Sequence, residues 1–284
     1  MNEFAALAAI PWLWWTTAGL VGLCVGSFLN VVIHRLPRML EQDWADQCAE
    51  LRGETPAART PYNLLTPRSR CPACKHPIRP HENIPVLSYF LLKGKCAQCG
   101  TRISARYPLI ELVGAGLAVA AAWRFGASYQ ALAIACLLWV LLALSAIDLD
   151  TQLLPDNLTV PLLWAGLILN SFGLFVPLGD ALWGAVGGYL ALWLVYWMFK
   201  LATGKEGMGY GDFKLLGALG AWLGWQMLPV IILLSSVFGA AVGITMIVAR
   251  GRDRNIPIPF GPYLAGAGAL TVFFGKALVA MYLG

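Results

Sequence analysis

Charge is what this chain has least of. Charged residues make up 12% of its 284 positions, hydrophobic ones make up 58%, and the mean hydropathy is +0.66. A soluble domain of this size carries about twice that charged fraction, so a water-soluble globular fold is excluded. Internal repeats of the soluble kind and low-complexity tracts are also missing, so neither a solenoid nor a disordered tail organises the chain. No basic segment precedes the first apolar run, Pro11 to Ile33. That run is too long for a signal-peptide core and ends in His-Arg-Leu-Pro-Arg, a stop-transfer flank, so it reads as a retained first span.

What the chain does have is apolar length. After the first run, stretches approaching the ~20 residues that cross a bilayer lie at 108–123, 129–147, 158–176, 181–200, 213–227, 228–249 and 260–282. The pattern predicts an all-α polytopic membrane protein of about eight transmembrane helices. The sixth span is short and Gly-rich, and is expected to be tilted or re-entrant. Three parts follow: residues 1–34 as the first transmembrane helix, 35–107 as a polar loop domain, and 108–284 as a seven-helix block. The first half of the loop, 38–66, reads as one short helix followed by extended chain. Small residues at helical spacing, Gly22 with Gly26, Gly220 with Gly224 and Gly239 with Gly243, predict close helix packing.

Charge orients the spans. Between Arg35 and Arg106 lie 12 Lys+Arg and 6 Asp+Glu. Placing that segment in the cytoplasm also puts Lys200, Lys205, Lys214, Arg250, Arg252 and Arg254 inside, leaving only Arg124 and Lys276 at outer ends. By the positive-inside rule the loop is cytoplasmic. Its basic charge serves topology and attraction to anionic lipid in the bilayer. The net charge of +5 is too modest to favour nucleic acid as a partner.

The loop carries "CPACKHPIRPHENIPVLSYFLLKGKCAQCG", two C-x-x-C knuckles formed by Cys71, Cys74, Cys96 and Cys99. Thiolates so spaced can give one zinc ion four tetrahedral ligands, and a reducing cytoplasm disfavours two structural disulfides. Redox dithiols are the alternative. His76 and His81 could stand in for a ligand, but four thiolates already close the site. A closed four-sulfur site organises a fold rather than catalysing. Cys24, Cys48 and Cys136 are left over, and the two in apolar runs read as small buried hydrophobes.

Few acids sit near the spans, and an intramembrane acid carries a functional hypothesis by default. Asp148 and Asp150 end the third span, Asp156 follows Pro155, and Asp212 opens the sixth. Asp212 has a structural alternative, since Asp is a favoured N-cap. Asp148 lies at the negative end of a helix dipole, against local preference by a few tenths to ~1 kcal/mol. Span three runs inward and span six outward, so both carboxyls lie at one depth near the cytoplasmic face. Two carboxyls sharing a low-dielectric site do not both ionise easily. The ionised one can activate water while the protonated one polarises a peptide carbonyl. Gly209 and Gly211 would let a substrate backbone approach closely.

At this point the residues match a family. "GYGD" (209–212) resembles the GxGD signature of intramembrane aspartyl proteases. With "GSFLNVVIHRLP" (26–37), the paired C-x-x-C, "NIPVLSYFLLKGKC" (83–96), "ISARYPLIE" (103–111) and "IDLDTQLLPD" (147–156), the chain resembles the bacterial type IV prepilin peptidases from first span to last. The resemblance implies a bifunctional enzyme. Its first activity cleaves the basic leader from type IV prepilins and type II secretion pseudopilins; its second methylates the new N-terminal amine with S-adenosylmethionine. It implies that the catalytic pair is Asp148 and Asp212, a choice over Asp150 that periodicity does not make. It also implies that Cys71, Cys74, Cys96 and Cys99 hold zinc, and that the enzyme resides in the bacterial inner membrane.

No soluble strand, Gly-rich turn and helix signature marks a cofactor site. Asn30, Arg35, Asn83, Lys95, Arg106 and Glu111 are the candidates for the methyl-donor site, each with a structural reading beside it: a snorkelling base, a capping amide, or an Arg106–Glu111 ion pair. The rival functions are a proton-coupled carrier using the two acids as relays, a zinc-knuckle scaffold, and a peptidase without methylation.

Overall fold

The computed structural model describes residues 10–56, 60–250 and 259–283. Eight long helices carry the chain: α1 (Pro11–Leu51), α2 (Arg106–Phe125), α3 (Tyr129–Thr151), α4 (Asp156–Ser171), α5 (Leu178–Thr203), α6 (Tyr210–Leu223), α7 (Leu228–Arg250) and α8 (Gly261–Leu283). Among the described residues no β-strand forms, only isolated bridges between Arg70 and Pro77 and between Lys95 and Arg102. Helices α1, α2, α3 and α5, and the stretch Trp225–Met246 that holds most of α7, are long and apolar enough to cross a membrane. The protein is a polytopic helical membrane protein. Arg252 and Arg254, placed inside by the charge pattern, lie outside the described residues.

Two boundaries differ from expectation. Helix α1 does not stop where its apolar run stops: it continues through Pro37 to Leu51, where Arg52 and Gly53 (φ 73°) turn the chain. The acidic stretch from Glu41 to Glu50 thus belongs to the first helix instead of a separate short one. Loss of hydrophobicity marks the end of a bilayer crossing, whereas backbone hydrogen bonding continues through good helix formers of any polarity. Helix α6 has 14 residues, about 21 Å at 1.5 Å per residue, less than the ~30 Å hydrocarbon core. It starts three residues earlier than its apolar run and stops at Gly224, whose φ of 84° ends the helix.

The chain divides within α3, between Trp139 and Val140, into two compact units. In the first, α1 and α2 meet backbone to backbone: a Cβ on Gly22 would lie 2.6 Å from Ala115 Cα, and one on Gly26 would lie 2.6 Å from Glu111 Cα. Small residues permit that approach in a bilayer, where lipid tails offer no hydrophobic drive between helices. Indole N–H groups stitch the same unit, Trp14 to the Gly126 carbonyl at 3.0 Å and Trp139 to that of Gly114 at 2.9 Å.

In the second unit α6 is the enclosed element. Phe213, Leu215, Leu216, Ala218, Leu219 and Ala221 are fully buried, as expected of a helix that is apolar all round. Gly184 of α5 and Gly220 of α6 are in backbone contact. Asn170 of α4 fixes the far end: its amide donates to the carbonyls of Ala221 and Trp222, and its oxygen accepts the N–H groups of Phe175 and Val176. Trp222 returns a hydrogen bond to the Leu162 carbonyl at 2.8 Å. A helix too short to span alone is thereby held by its neighbours.

Candidate active site

The acids at the other end of α6 are buried together. Asp148, in the last turn of α3, is 5% exposed, and Asp212, in the first turn of α6, is 6% exposed. Asp150 stands on the exposed side of its helix, so helix geometry separates the two acids that periodicity left equivalent. Asp148 lies close enough for its charge to act on Asp212. After α3 the chain reverses at Gln152, whose φ is 56° and whose N–H bonds the Asp148 carbonyl at 2.9 Å. This brings Leu154 against both partners' elements. A Cβ on Gly211 would lie 2.6 Å from Leu154 Cβ, and one on Gly261 would lie 3.1 Å from Leu154 Cδ2.

The two carboxyls have unequal surroundings. Asp148 Oδ2 accepts the Gly261 N–H at 3.0 Å; the Asp212 carboxyl is served by the Gly209 N–H, but its Oδ1 is buried with no hydrogen-bond partner. The N-cap of α6 is Gly209, and no side-chain hydrogen bond caps that helix. Asp212 therefore does not occupy the N-cap position itself but stands three residues further on, its carboxyl served by the Gly209 N–H. Gly211 is also reassigned, because its missing side chain makes room for Leu154 and not for a substrate. Only at Gly209 is the space open, its nearest neighbour being Asp212 Oδ2, 3.8 Å from a notional Cβ.

Two ion pairs hold the approach to α6. Lys214 Nζ reaches both oxygens of Asp156 at 2.7 Å, joining α6 to the first turn of α4. Lys200 Nζ bonds Glu206 at 2.8 Å and the Tyr196 hydroxyl at 3.1 Å, and the Lys200 ammonium holds the Glu206 carboxyl below its ordinary range. The Tyr210 ring packs 5.2 Å from Tyr196 and 5.3 Å from Phe213. In the sequence Lys200 and Lys214 registered only as markers of the inner side; Asp156 lies 58 residues from Lys214, too distant along the chain to be read as its pair. Gly261 and Leu154 carried no local signal at all.

The loop brings its four cysteines to one point, with all four sulfurs within 4.8 Å of one another. Cys71 and Cys99 stand 3.8 Å apart and Cys74 and Cys96 4.0 Å. The knuckles repeat one pattern. Cys71 N–H bonds the His76 carbonyl and Lys75 N–H the Cys71 carbonyl; Cys96 N–H bonds the Thr101 carbonyl and Gly100 N–H the Cys96 carbonyl. Lys75 and Gly100, each directly after its knuckle, both have positive φ, 61° and 70°. Hydrogen bonds from the Thr101 hydroxyl and backbone bring the Cys99 thiol down to about 6, and the Cys74 and Ala73 amides lower that of Cys71. Such a cluster suits a thiolate-binding metal ion. His76 is engaged elsewhere, 3.2 Å from Glu82.

Three of the six polar candidates near the spans are tied to backbone. Arg35 donates to the carbonyls of Asn63 at 2.8 Å and Pro67 at 2.6 Å and lies over the Tyr62 ring. Asn30 donates to the Tyr107 carbonyl at 3.1 Å, and Glu111 accepts the N–H of Val86 at 2.7 Å. Val86 has a φ of 61°, so Glu111 pins a strained turn.

Fold and site together define a membrane-embedded helical protein with a buried carboxyl pair and a four-thiol centre. Residues 20–125 match the model of the bacterial peptidase A24 N-terminal domain, and residues 135–244 match that of the type IV leader peptidase family. The chain is 58% identical to a Stutzerimonas stutzeri protein over 285 residues, covering 100% of this chain and 98% of that protein. It is 57% identical to one from Pseudomonas aeruginosa over 93% of this chain and 91% of the relative. A third, from Aeromonas salmonicida, is 55% identical over 96% and 95%. All three are named prepilin leader peptidase/N-methyltransferase. No solved structure matches the chain. The chain belongs to the type IV leader peptidase family.

Proposed function

We propose that this protein is an inner-membrane aspartic endopeptidase. It removes the basic leader from type IV prepilins and type II secretion pseudopilins at the cytoplasmic face, then N-methylates the new N-terminal residue. The observation that carries the peptidase reading is the burial of Asp148 and Asp212 side by side, with one carboxyl oxygen of Asp212 left without a partner. A native fold leaves few buried polar atoms unsatisfied, and such atoms gather where function needs them.

In this reading one carboxylate takes a proton from water as its oxygen attacks the peptide carbonyl carbon, and the other carboxyl gives its proton to the carbonyl oxygen. Collapse of the tetrahedral diol breaks the C–N bond. The first acid passes its proton to the leaving amine, and a diol hydroxyl returns one to the second, so the pair regains its starting state. Burial strengthens these interactions by excluding bulk water.

Cys71, Cys74, Cys96 and Cys99 would hold one zinc ion, which ties the two knuckles together and, with four sulfurs bound, leaves no position for substrate. The N-methyltransferase names of the relatives support the second activity, with S-adenosylmethionine as methyl donor. Asn30, Arg35, Asn83, Lys95, Arg106 and Glu111 are its candidates.

The test is cleavage of a prepilin by purified protein, with and without S-adenosylmethionine, beside Asp148→Asn and Asp212→Asn. Wild type should cleave, both variants should not, and the cleaved product should gain one methyl mass only with the methyl donor. Cleavage surviving both substitutions would remove the pair from the mechanism. Failure on several prepilins would favour the proton-coupled carrier.

A further inference from the structure

Gly261 begins α8, and its N–H is the one aimed at Asp148. The following Pro262 has no N–H to offer, and the N–H groups of Tyr263 and Leu264 turn back to the Phe260 carbonyl, both at 3.1 Å. Gly261 alone among these positions sends its hydrogen to the carboxyl, at 3.0 Å in a buried contact. A side chain at this position would also have to displace the carboxylate. A Cβ there would lie 2.6 Å from Asp148 Oδ2 and 3.2 Å from its Cγ. Real Cβ atoms do not come so close, and Leu154 closes off the other side.

A backbone N–H at a helix N-terminus complements an oxygen that remains an acceptor. Asp212 has a backbone donor of its own in the Gly209 N–H, while its Oδ1 is buried with no hydrogen-bond partner. We infer that Gly261 is a positioning residue for the Asp148 carboxyl, holding it through its own N–H and leaving it the space that a side chain would take. The inference rests on the aspartic-peptidase reading above and adds to it a residue outside the carboxyl pair.

The experiment uses the full chain in detergent or reconstituted bilayers, with a synthetic prepilin peptide. Gly261→Ala keeps the N–H but displaces the carboxylate. It should lower kcat by about 10²-fold, the typical effect of a displacement near 1 Å, with KM, bound metal and melting temperature as in wild type. Gly266→Ala is the control, since a Cβ there meets nothing within 4 Å on the same helix; it should cleave like wild type. Wild-type kcat in Gly261→Ala, or parallel losses in KM and melting temperature, would overturn the assignment.

If Gly261→Ala does not fold, the amide itself decides. The chain has five Phe–Gly steps, so carbonyl-labelled Phe with nitrogen-labelled Gly isolates five amide signals. One of them should move in Asp148→Asn and stay still in Asp150→Asn. Five unmoved signals would overturn the inference. Wild-type cleavage by Asp148→Asn or Asp212→Asn would instead strike the underlying pair, so the two failures are distinguishable.

Discussion

Lys214 places its ammonium 2.7 Å from each carboxylate oxygen of Asp156, joining α6 to α4 two residues beyond Asp212. Both side chains are partly exposed, at 32% and 58%, so the pair should stabilise the fold only modestly, by about 0.2–1 kcal/mol. Its larger effect should be on placement. Lys214→Met and Asp156→Asn should each reduce kcat while moving the melting temperature little. A double-mutant cycle should show the two losses to be shared; additive losses would show that the pair does not act as a unit.

Asp212 should cost the protein stability. Leucine matches the shape of aspartate but needs no hydrogen bond, and a buried polar group without a partner costs about 1–3 kcal/mol. Asp212→Leu should therefore melt at a higher temperature than wild type while cleaving nothing. A lower melting temperature would show that the buried oxygen is satisfied in the native protein.

Asn170 should behave in the reverse way. Its side chain serves four backbone groups far along the chain from the acids. Asn170→Ala should destabilise by about 1–3 kcal/mol for each buried amide left unpaired. Activity per folded molecule should stay at the wild-type level, as measured by active-site titration against thermal unfolding. Lost turnover at unchanged stability would contradict this structural role.

The four thiols should bind close to one zinc per chain. Cys71→Ser with Cys96→Ser removes one ligand from each knuckle and should abolish the metal, read by elemental analysis of the purified protein. Because metal binding holds a small domain folded, protease should then cut between residues 60 and 105. Full metal content in the double variant would refute the assignment.

Much of this protein was legible in one dimension. Hydrophobic length announced a helical membrane protein, because a bilayer demands about 20 apolar residues in a row. Cysteine spacing announced the thiol centre, because a knuckle is a local turn. The match of ordered motifs pointed to the family. Tertiary structure alone decided the rest. That α1 runs on past its apolar stretch follows from backbone hydrogen bonding, which hydropathy does not report. Gly209 and not Asp212 takes the N-cap position, and Asp212 Oδ1 finds no partner once α6 is packed. Gly211 makes room for Leu154, and Gly261 for Asp148. Those contacts join residues more than fifty positions apart. No periodicity encodes a distance between separate helices; packing sets it, and with it the unequal surroundings of the two acids.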